Sequence, residues 1–337
     1  MNNLDLTTNR QPLQVILVSP RRKWLVILLL LLLGGSLCVN LMLAALTADY
    51  VKDIQPPNEK FHSGEMLAKD KIARIVTDFT IMPPYTKRIL EIIDHVDQKD
   101  DIKGVVLVID SPGGLVSDSH EIYHKLLKLS EKKPVFVSMK GIAASGGYYI
   151  AMGAGKGAPI YAEPTTWTGS IGVIMPRYDA SKLAEQFGVK ADSLATGPLK
   201  DTLNPLKELT EAEKAVWMEI LDDSFQRFLK VIDDSRENLT MEQVRALATG
   251  QVYTASQALE KGLVDKIGYE EDVISALKEK LQLKEVRVVN YEFPKSLAES
   301  LLGAQSRSQQ IDPISRLIEA SVPRAMYLFG SPGFSHP

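Results

Sequence analysis

The sequence predicts an α/β domain of repeated strand, turn and helix units, preceded by one transmembrane helix. Three observations carry that expectation. An uncharged apolar run near the N-terminus is long enough to cross a bilayer. Beyond it, short β-branched runs alternate with stretches whose apolar residues recur at helical spacing. Two of those runs end in clusters of glycine and serine, the residues that let a strand turn sharply into a helix.

The apolar run extends from Trp24 to Ala45, with only Ser36 and Asn40 as polar interruptions. At 1.5 Å per residue it spans about 33 Å, close to the thickness of a bilayer's hydrocarbon core. A helix apolar all round for that length suits lipid better than a soluble core. Arg21, Arg22 and Lys23 precede the run, Trp24 suits the membrane interface, and mixed charges (Asp49, Lys52) follow. The positive-inside rule therefore keeps the N-terminus cytoplasmic and sends the later residues across the membrane. A cleaved signal peptide is the alternative. Leu46-Thr-Ala48 lacks the small-x-small pattern of a cleavage site, so an intact anchor is expected.

The resulting division is a cytoplasmic segment 1–23, an anchor 24–46, a polar linker 47–70 containing Pro56-Pro57, a folded domain 71–292 and a C-terminal tail 293–337. Cys38 is the only cysteine, so an intramolecular disulfide is impossible. A net charge of −3, with no interleaving of basic and aromatic residues, excludes a nucleic-acid binding surface.

Within the domain, Ile72 to Phe79 alternates as a strand and Tyr85 to Val96 groups Ile89, Leu90, Ile92 and Ile93 on one helical side. Gly104 to Asp110 is a continuous β-branched run, the pattern of a strand buried on both faces. It ends in Ser111-Pro-Gly-Gly114, after which Ser117 to Leu129 reads as a helix. Val135 to Met139 is the next strand, followed by the turn Gly141 to Gly147 and a helix from Tyr148 to Ala154. Ile160 to Ala162 and Ile171 to Ile174 read as strands, and Asp179 to Gln186 as a helix. Val189 to Ala195 reads as a strand leading into a polar loop, Thr196 to Pro205. Thr210 and Glu213 form a capping box that opens a long helix to about Glu237. Thr240 caps a shorter helix, Thr254 or Ser256 caps another, and Gly262 ends it. Apolar patches in the tail, Leu317-Ile318 and Met326 to Phe329, have no assigned role.

Ser145 is the candidate nucleophile. It sits at a strand-to-helix turn, where helix N–H groups without partners favour negative charge. An ordinary N-cap serine explains the same local pattern. A nucleophilic serine needs a base, most often a histidine. None of the five histidines suits: His62 lies in the linker, His336 at the C-terminus, His95 at a helix end, and His120 and His124 on one face of a helix expected to be solvated. That last pair lacks the glutamate of a zinc-protease pattern, so no metal site is expected. Lysine can serve instead when a desolvated or cationic setting keeps it neutral. Lys200 is the best candidate, in a Gly-Pro loop between Leu199 and Leu203, although a plain surface lysine reads the same way. The N–H groups of Gly114 and Gly146 are the candidate donors to an oxyanion.

Four stretches, in this order, resemble the signal peptide peptidase A (protease IV) family in its short bacterial form. They are Asp110-Ser-Pro-Gly-Gly114, Ala144-Ser-Gly-Gly-Tyr148, Thr168-Gly-Ser-Ile-Gly-Val173, and Gly250-Gln-Val-Tyr-Thr254 continuing to Gly262 through Gly268. The resemblance implies a Clp/crotonase-like fold and a membrane-anchored serine endopeptidase of the bacterial inner membrane, its catalytic domain extracytoplasmic. It implies a Ser145–Lys200 dyad, with Ser170 holding the lysine amine, and no cofactor. It further implies remnant signal peptides as substrates and a ring-like homo-oligomer in which neighbouring subunits complete each dyad. An acyl-CoA enzyme of crotonase type, or an inactive membrane scaffold of the same fold, are the alternatives.

Overall fold

The computed structural model describes residues 20–52, 56–293 and 325–329, in two units. The first contains α1 (Pro20–Lys52), whose stretch Lys23–Asn40 has a mean hydropathy of 2.0 and the length to cross a membrane. The second holds the remaining elements and is described by itself.

This unit begins with β1 (Asn58–Gly64), β2 (Lys71–Thr77), α2 (Tyr85–Asp97), β3 (Ile102–Ser111), β4 (Gly113–Leu115), α3 (Val116–Ser130) and β5 (Val135–Ala144). There follow α4 (Gly146–Ala151) with a 3-10 turn Met152–Ala154, then β6 (Ile160–Ala162), β7 (Trp167–Gly169), α5 (Ser181–Gln186), α6 (Glu211–Ser235) and α7 (Met241–Leu247). The chain continues through β8 (Val252–Thr254), α8 (Ala255–Glu260), β9 (Lys266–Ile267), α9 (Glu270–Lys280) and β10 (Arg287–Glu292), and ends its described part in β11 (Met326–Leu328).

One sheet runs β1-β10-β2-β3-β5-β6-β9, parallel from β10 onward, with β1 antiparallel on the edge. Parallel pairing requires crossover segments that cover both faces, and β3 records this in its side chains. Val105, Leu107 and Ile109 enter a core against α2, α3 and α4, while Val106 and Val108 enter a second core against Val273 and Leu277 of α9. All five are fully buried. Each contributes about 1.5–3 kcal/mol of apolar burial, so β3 anchors both layers.

Strand β5 serves two partners. Its first half pairs with β6, and Ile142, Ala143 and Ala144 pair with Trp167, Thr168 and Gly169 of β7, which in turn pairs antiparallel with β8. The far half of β5 thus lies between β3 and β7 and carries Ser145 at its C-terminal end.

Three expectations need correction. Residues 58–64, assigned to the linker, form β1. Their alternation is masked by polar side chains because the strand lies exposed on an edge, held by backbone pairing to β10. The strand expected at Ile171 to Ile174 lies instead at Trp167–Gly169, and Ile174 makes only a single bridge, to Met326. The strand expected at Val189 to Ala195 does not form. Its apolar residues have no sheet to join: Val189 and Leu194 are exposed. The capping box of Thr210 and the cap at Thr240 form as expected, the latter as a capping box with Gln243, and Thr254 rather than Ser256 caps α8.

Candidate active site

Ser145 occupies the N-cap position of α4, but its side chain caps nothing. Its backbone has φ 55° and ψ −114°, a conformation that costs a non-glycine residue about 1–3 kcal/mol. Two bonds hold it there: Ser145 N–H donates to Gly169 O at 2.8 Å, and Tyr149 N–H donates to Ser145 O at 2.9 Å. Residues around it are fully buried, and Ser145 itself is 1% exposed. An ordinary capping serine needs none of this strain. A serine that must project from a tight strand-to-helix turn does.

Ser170 stands beside it. The register pairs Ala144 with Gly169, so the two serines follow paired residues on adjacent strands. Ser170 also has positive φ, 50°, fixed by its N–H donating to Gln251 O at 2.7 Å. Among the described residues only three non-glycines have positive φ, and two of them are these serines.

Gly114 lies on β4, which turns away from β3 after Pro112. Ser111 Oγ donates to Phe79 O at 2.5 Å and accepts from Gly113 N–H at 3.2 Å, which pins the turn. A Cβ on Gly114 would lie 2.0 Å from Ile81 O, so only glycine lets β4 pair that closely with Ile81. Gly146 opens α4, where its N–H has no intrahelical partner.

The tail had no assigned role, yet β11 lies in the groove beside Ser145. It pairs antiparallel with β4, Tyr327 opposite Gly114. Val116 N–H donates to Ala325 O at 3.2 Å and Phe329 N–H to Pro112 O at 2.8 Å, so the alternating ladder puts the Tyr327–Gly114 pair in hydrogen-bonding register. On the other edge, Met326 and Ile174 exchange both backbone bonds, at 2.8 and 3.0 Å. The carbonyl of Tyr327 rests over the glycines: a Cβ on Gly113 would lie 2.0 Å from that oxygen, and one on Gly146 3.0 Å. The apolar patch Met326 to Phe329 was the visible signal. Its partner strand, more than two hundred positions earlier, was not.

The Tyr327 side chain fills an aromatic slot. Its ring stacks on Tyr149 at 4.9 Å and tilts against Phe228 at 4.7 Å, and its hydroxyl donates to Ser224 O at 2.7 Å. His120, expected on a solvated face, is half-buried instead, its Nδ1 2.7 Å from Tyr149 Oη. Burial lowers the His120 pKa, helped by Arg227 and His124, and burial raises that of Tyr149. Among the described residues no cluster of His, Cys, Asp or Glu has the makings of a metal site.

Lys200 is in different surroundings. Every residue from Glu185 to Lys200 is exposed except Gly197, which is partly so. Lys200 N–H donates to Gly197 O at 3.2 Å, and among the described residues no hydrogen bond joins Lys200 to Ser145 within one chain. The same region shows large apolar side chains to solvent: Phe187 is 77% exposed, Leu194 100%, and Met218 and Ile220 on the first half of α6 about half. The second half of that helix, with Phe228, Leu229 and Ile232, is buried.

Comparison with known proteins agrees with this geometry. The profile of peptidase family S49 matches residues 127–284, and that of Clp protease matches residues 59–168. A Synechocystis sp. protein named as a protease is 40% identical over 243 residues, covering 72% of this chain and 86% of the relative. An Enterococcus faecium protein named as a signal peptide peptidase SppA is 34% identical over 250 residues, covering 71% and 72%. A Haemophilus influenzae protein named as the protease SohB is 31% identical over 269 residues, covering 77% and 72%. The fold is Clp protease-like, and a peptidase rather than an acyl-CoA enzyme is the activity that goes with these relatives. With its strained serine, its glycine-lined groove and these matches, the chain belongs to peptidase family S49, the serine peptidases related to signal peptide peptidase A.

Proposed function

We propose that this protein is a membrane-anchored serine endopeptidase in which Ser145 attacks a peptide held as a strand on β4. The observation that carries the reading is the seat of β11: a peptide strand with its Tyr327 carbonyl over Gly113 and Gly146, beside the strained serine. A substrate in that register presents its scissile carbonyl where Tyr327 O lies. Addition of one strand reads backbone rather than side chains, which suits unstructured peptides in general.

In the first step Ser145 Oγ adds to the carbonyl carbon while Lys200 Nζ takes the hydroxyl proton. The carbonyl oxygen becomes an oxyanion, met by the N–H groups of Gly114 and Gly146. Collapse breaks the C–N bond, and the Lys200 ammonium returns its proton to the departing amine. Water then hydrolyses the acyl-enzyme by the same route. Ser170, next to Ser145, accepts a hydrogen bond from the Lys200 amine and orients it.

Lys200 comes from a second copy of the chain in this reading. Its segment is exposed and studded with apolar residues, which is what an interface between copies requires. The helix α1 anchors the chain with its N-terminus in the cytoplasm of a bacterial inner membrane and the domain outside. Substrates at that surface are remnant signal peptides and other apolar, unfolded segments.

Complementation tests this. Ser145→Ala and Lys200→Ala each abolish cleavage of a fluorogenic peptide, and co-assembled mixtures of the two variants recover part of it. If neither single variant loses activity, the catalytic assignment fails, and an inactive wild type would favour the scaffold. If mixtures stay inactive although both chains co-assemble, the dyad across copies fails.

A further inference from the structure

The hydroxyl of Ser119 is a buried polar group with no partner at the edge of the groove. Ser119 lies on the first turns of α3 and is fully buried, and its Oγ makes no hydrogen bond. Folding normally satisfies such groups. Its neighbours follow that rule: Ser111 Oγ bonds Phe79 O, and Thr168 Oγ1 bonds Ala143 O at 2.6 Å. Among the described residues the other unpaired buried hydroxyl is Ser138, in the middle of β5 between β3 and β6. Only Ser119 faces the groove.

The space over Gly146 locates it. A Cβ there would lie 2.6 Å from Ser119 Oγ, 3.0 Å from Tyr327 O and 3.0 Å from Gly113 Cα. The hydroxyl and the seated carbonyl therefore share one small space beside the Gly146 amide, without bonding each other. Resting on the peptidase reading above, we propose that Ser119 is a third oxyanion donor, engaged only when the carbonyl becomes tetrahedral.

The carbonyl oxygen in the resting groove is in ladder register with the Gly114 amide and lies over Gly146. Once Ser145 has added, that oxygen carries a full negative charge and accepts a third donor readily. The hydroxyl needs only to rotate its hydrogen and to be approached by the oxygen as its carbon changes geometry. A donor idle in the ground state and occupied in the intermediate lowers the barrier instead of tightening substrate binding. No proton is transferred: Ser119 keeps its hydrogen throughout, and Lys200 performs the acid–base steps.

The test uses the full-length protein in detergent. For Ser119→Ala the expected result is a fall in kcat of roughly tenfold or more, with KM unchanged. A peptide boronic acid ending in tyrosine, which forms a tetrahedral adduct on Ser145, loses affinity by the same factor. An unreactive peptide of the tail sequence binds as before. An unchanged kcat overturns the proposal, as does an equal loss of affinity for the tail peptide and the boronate, which would make Ser119 a packing residue. Should Ser119→Ala fail to assemble, Ser119→Cys, similar in size and a weaker donor, is expected to show the same split. Failure of both to assemble also assigns Ser119 to packing and overturns the proposal. Ser145→Ala separates the two levels: if it keeps wild-type turnover, the peptidase reading fails, whereas loss there with an unaffected Ser119→Ala removes Ser119 alone.

Discussion

Ser145 ends a strand embedded in a two-layered core, and its strained backbone is held by bonds from both sides. Lys200 sits at the end of an exposed run whose leucines and phenylalanine face solvent. The strained half of the site is built where the surroundings over-determine the backbone, because strain of about 1–3 kcal/mol persists only there. In the proposed dyad the exposed half has no such need, because a second copy supplies its packing. The contrast teaches that one chain by itself builds the strained serine and its glycine-lined groove, while the base we propose is left for a second copy to place.

The largest way to break that contrast is at the rigid half. Gly146→Ala puts a methyl 2.6 Å from Ser119 Oγ and 3.0 Å from the seated carbonyl. Peptide cleavage is expected to fall by about 100-fold or more, the scale of losing an oxyanion donor, while chromatographic size is unchanged. Kinetics and size-exclusion on the same sample check both. At the other half, Phe187→Asp or Met218→Asp leaves the fold of one chain nearly unperturbed, within about 0.5 kcal/mol, as surface changes usually are. Activity is lost with the assembly. Sedimentation that still shows the wild-type oligomer would remove this face as the interface.

A smaller effect concerns the groove's occupant. Truncation before Ala325 frees β4 and Ile174 of β11, so a peptide substrate no longer competes with the tail. KM is expected to fall a few-fold with kcat unchanged, measured by steady-state kinetics. The smallest effect lies at the foot of α6, next to the Lys200 segment. Lys207 beside Glu213, with the N–H and hydroxyl of Thr210, holds that carboxyl down to about 2 from an ordinary 4.5. A depressed folded-state pKa gives stability that is present above pH 4.5 and lost as pH falls through that value towards 2. Thermal melting of Glu213→Gln should accordingly show a shallower fall than wild type between pH 4.5 and 2.

Several parts of this molecule were legible in the sequence because their causes are local. Helix caps at Thr210, Thr240 and Thr254 depend on residues three positions apart, and each forms. The buried strand from Gly104 to Asp110 announces itself by β-branched residues alone. Ser145, Gly114 and Gly146 could be singled out because a tight turn, a close backbone approach and a free helix amide each demand a particular residue type. The edge strand Asn58–Gly64 and the strand Trp167–Gly169 escaped detection, since their pairing rests on backbone contacts with distant segments rather than on side-chain alternation.

By itself, then, the sequence determined the apolar N-terminal helix, the strand and helix rhythm, and the candidates for nucleophile and oxyanion donors, all of which follow from residue chemistry over a few positions. The tertiary structure alone decided that Ser145 and Ser170 stand side by side with positive φ, that His120 turns inward to Tyr149, and that Met326 to Leu328 lies on β4. Those relations join residues far apart in the chain, through backbone hydrogen bonds and aromatic packing whose partners exist only once the sheet has formed.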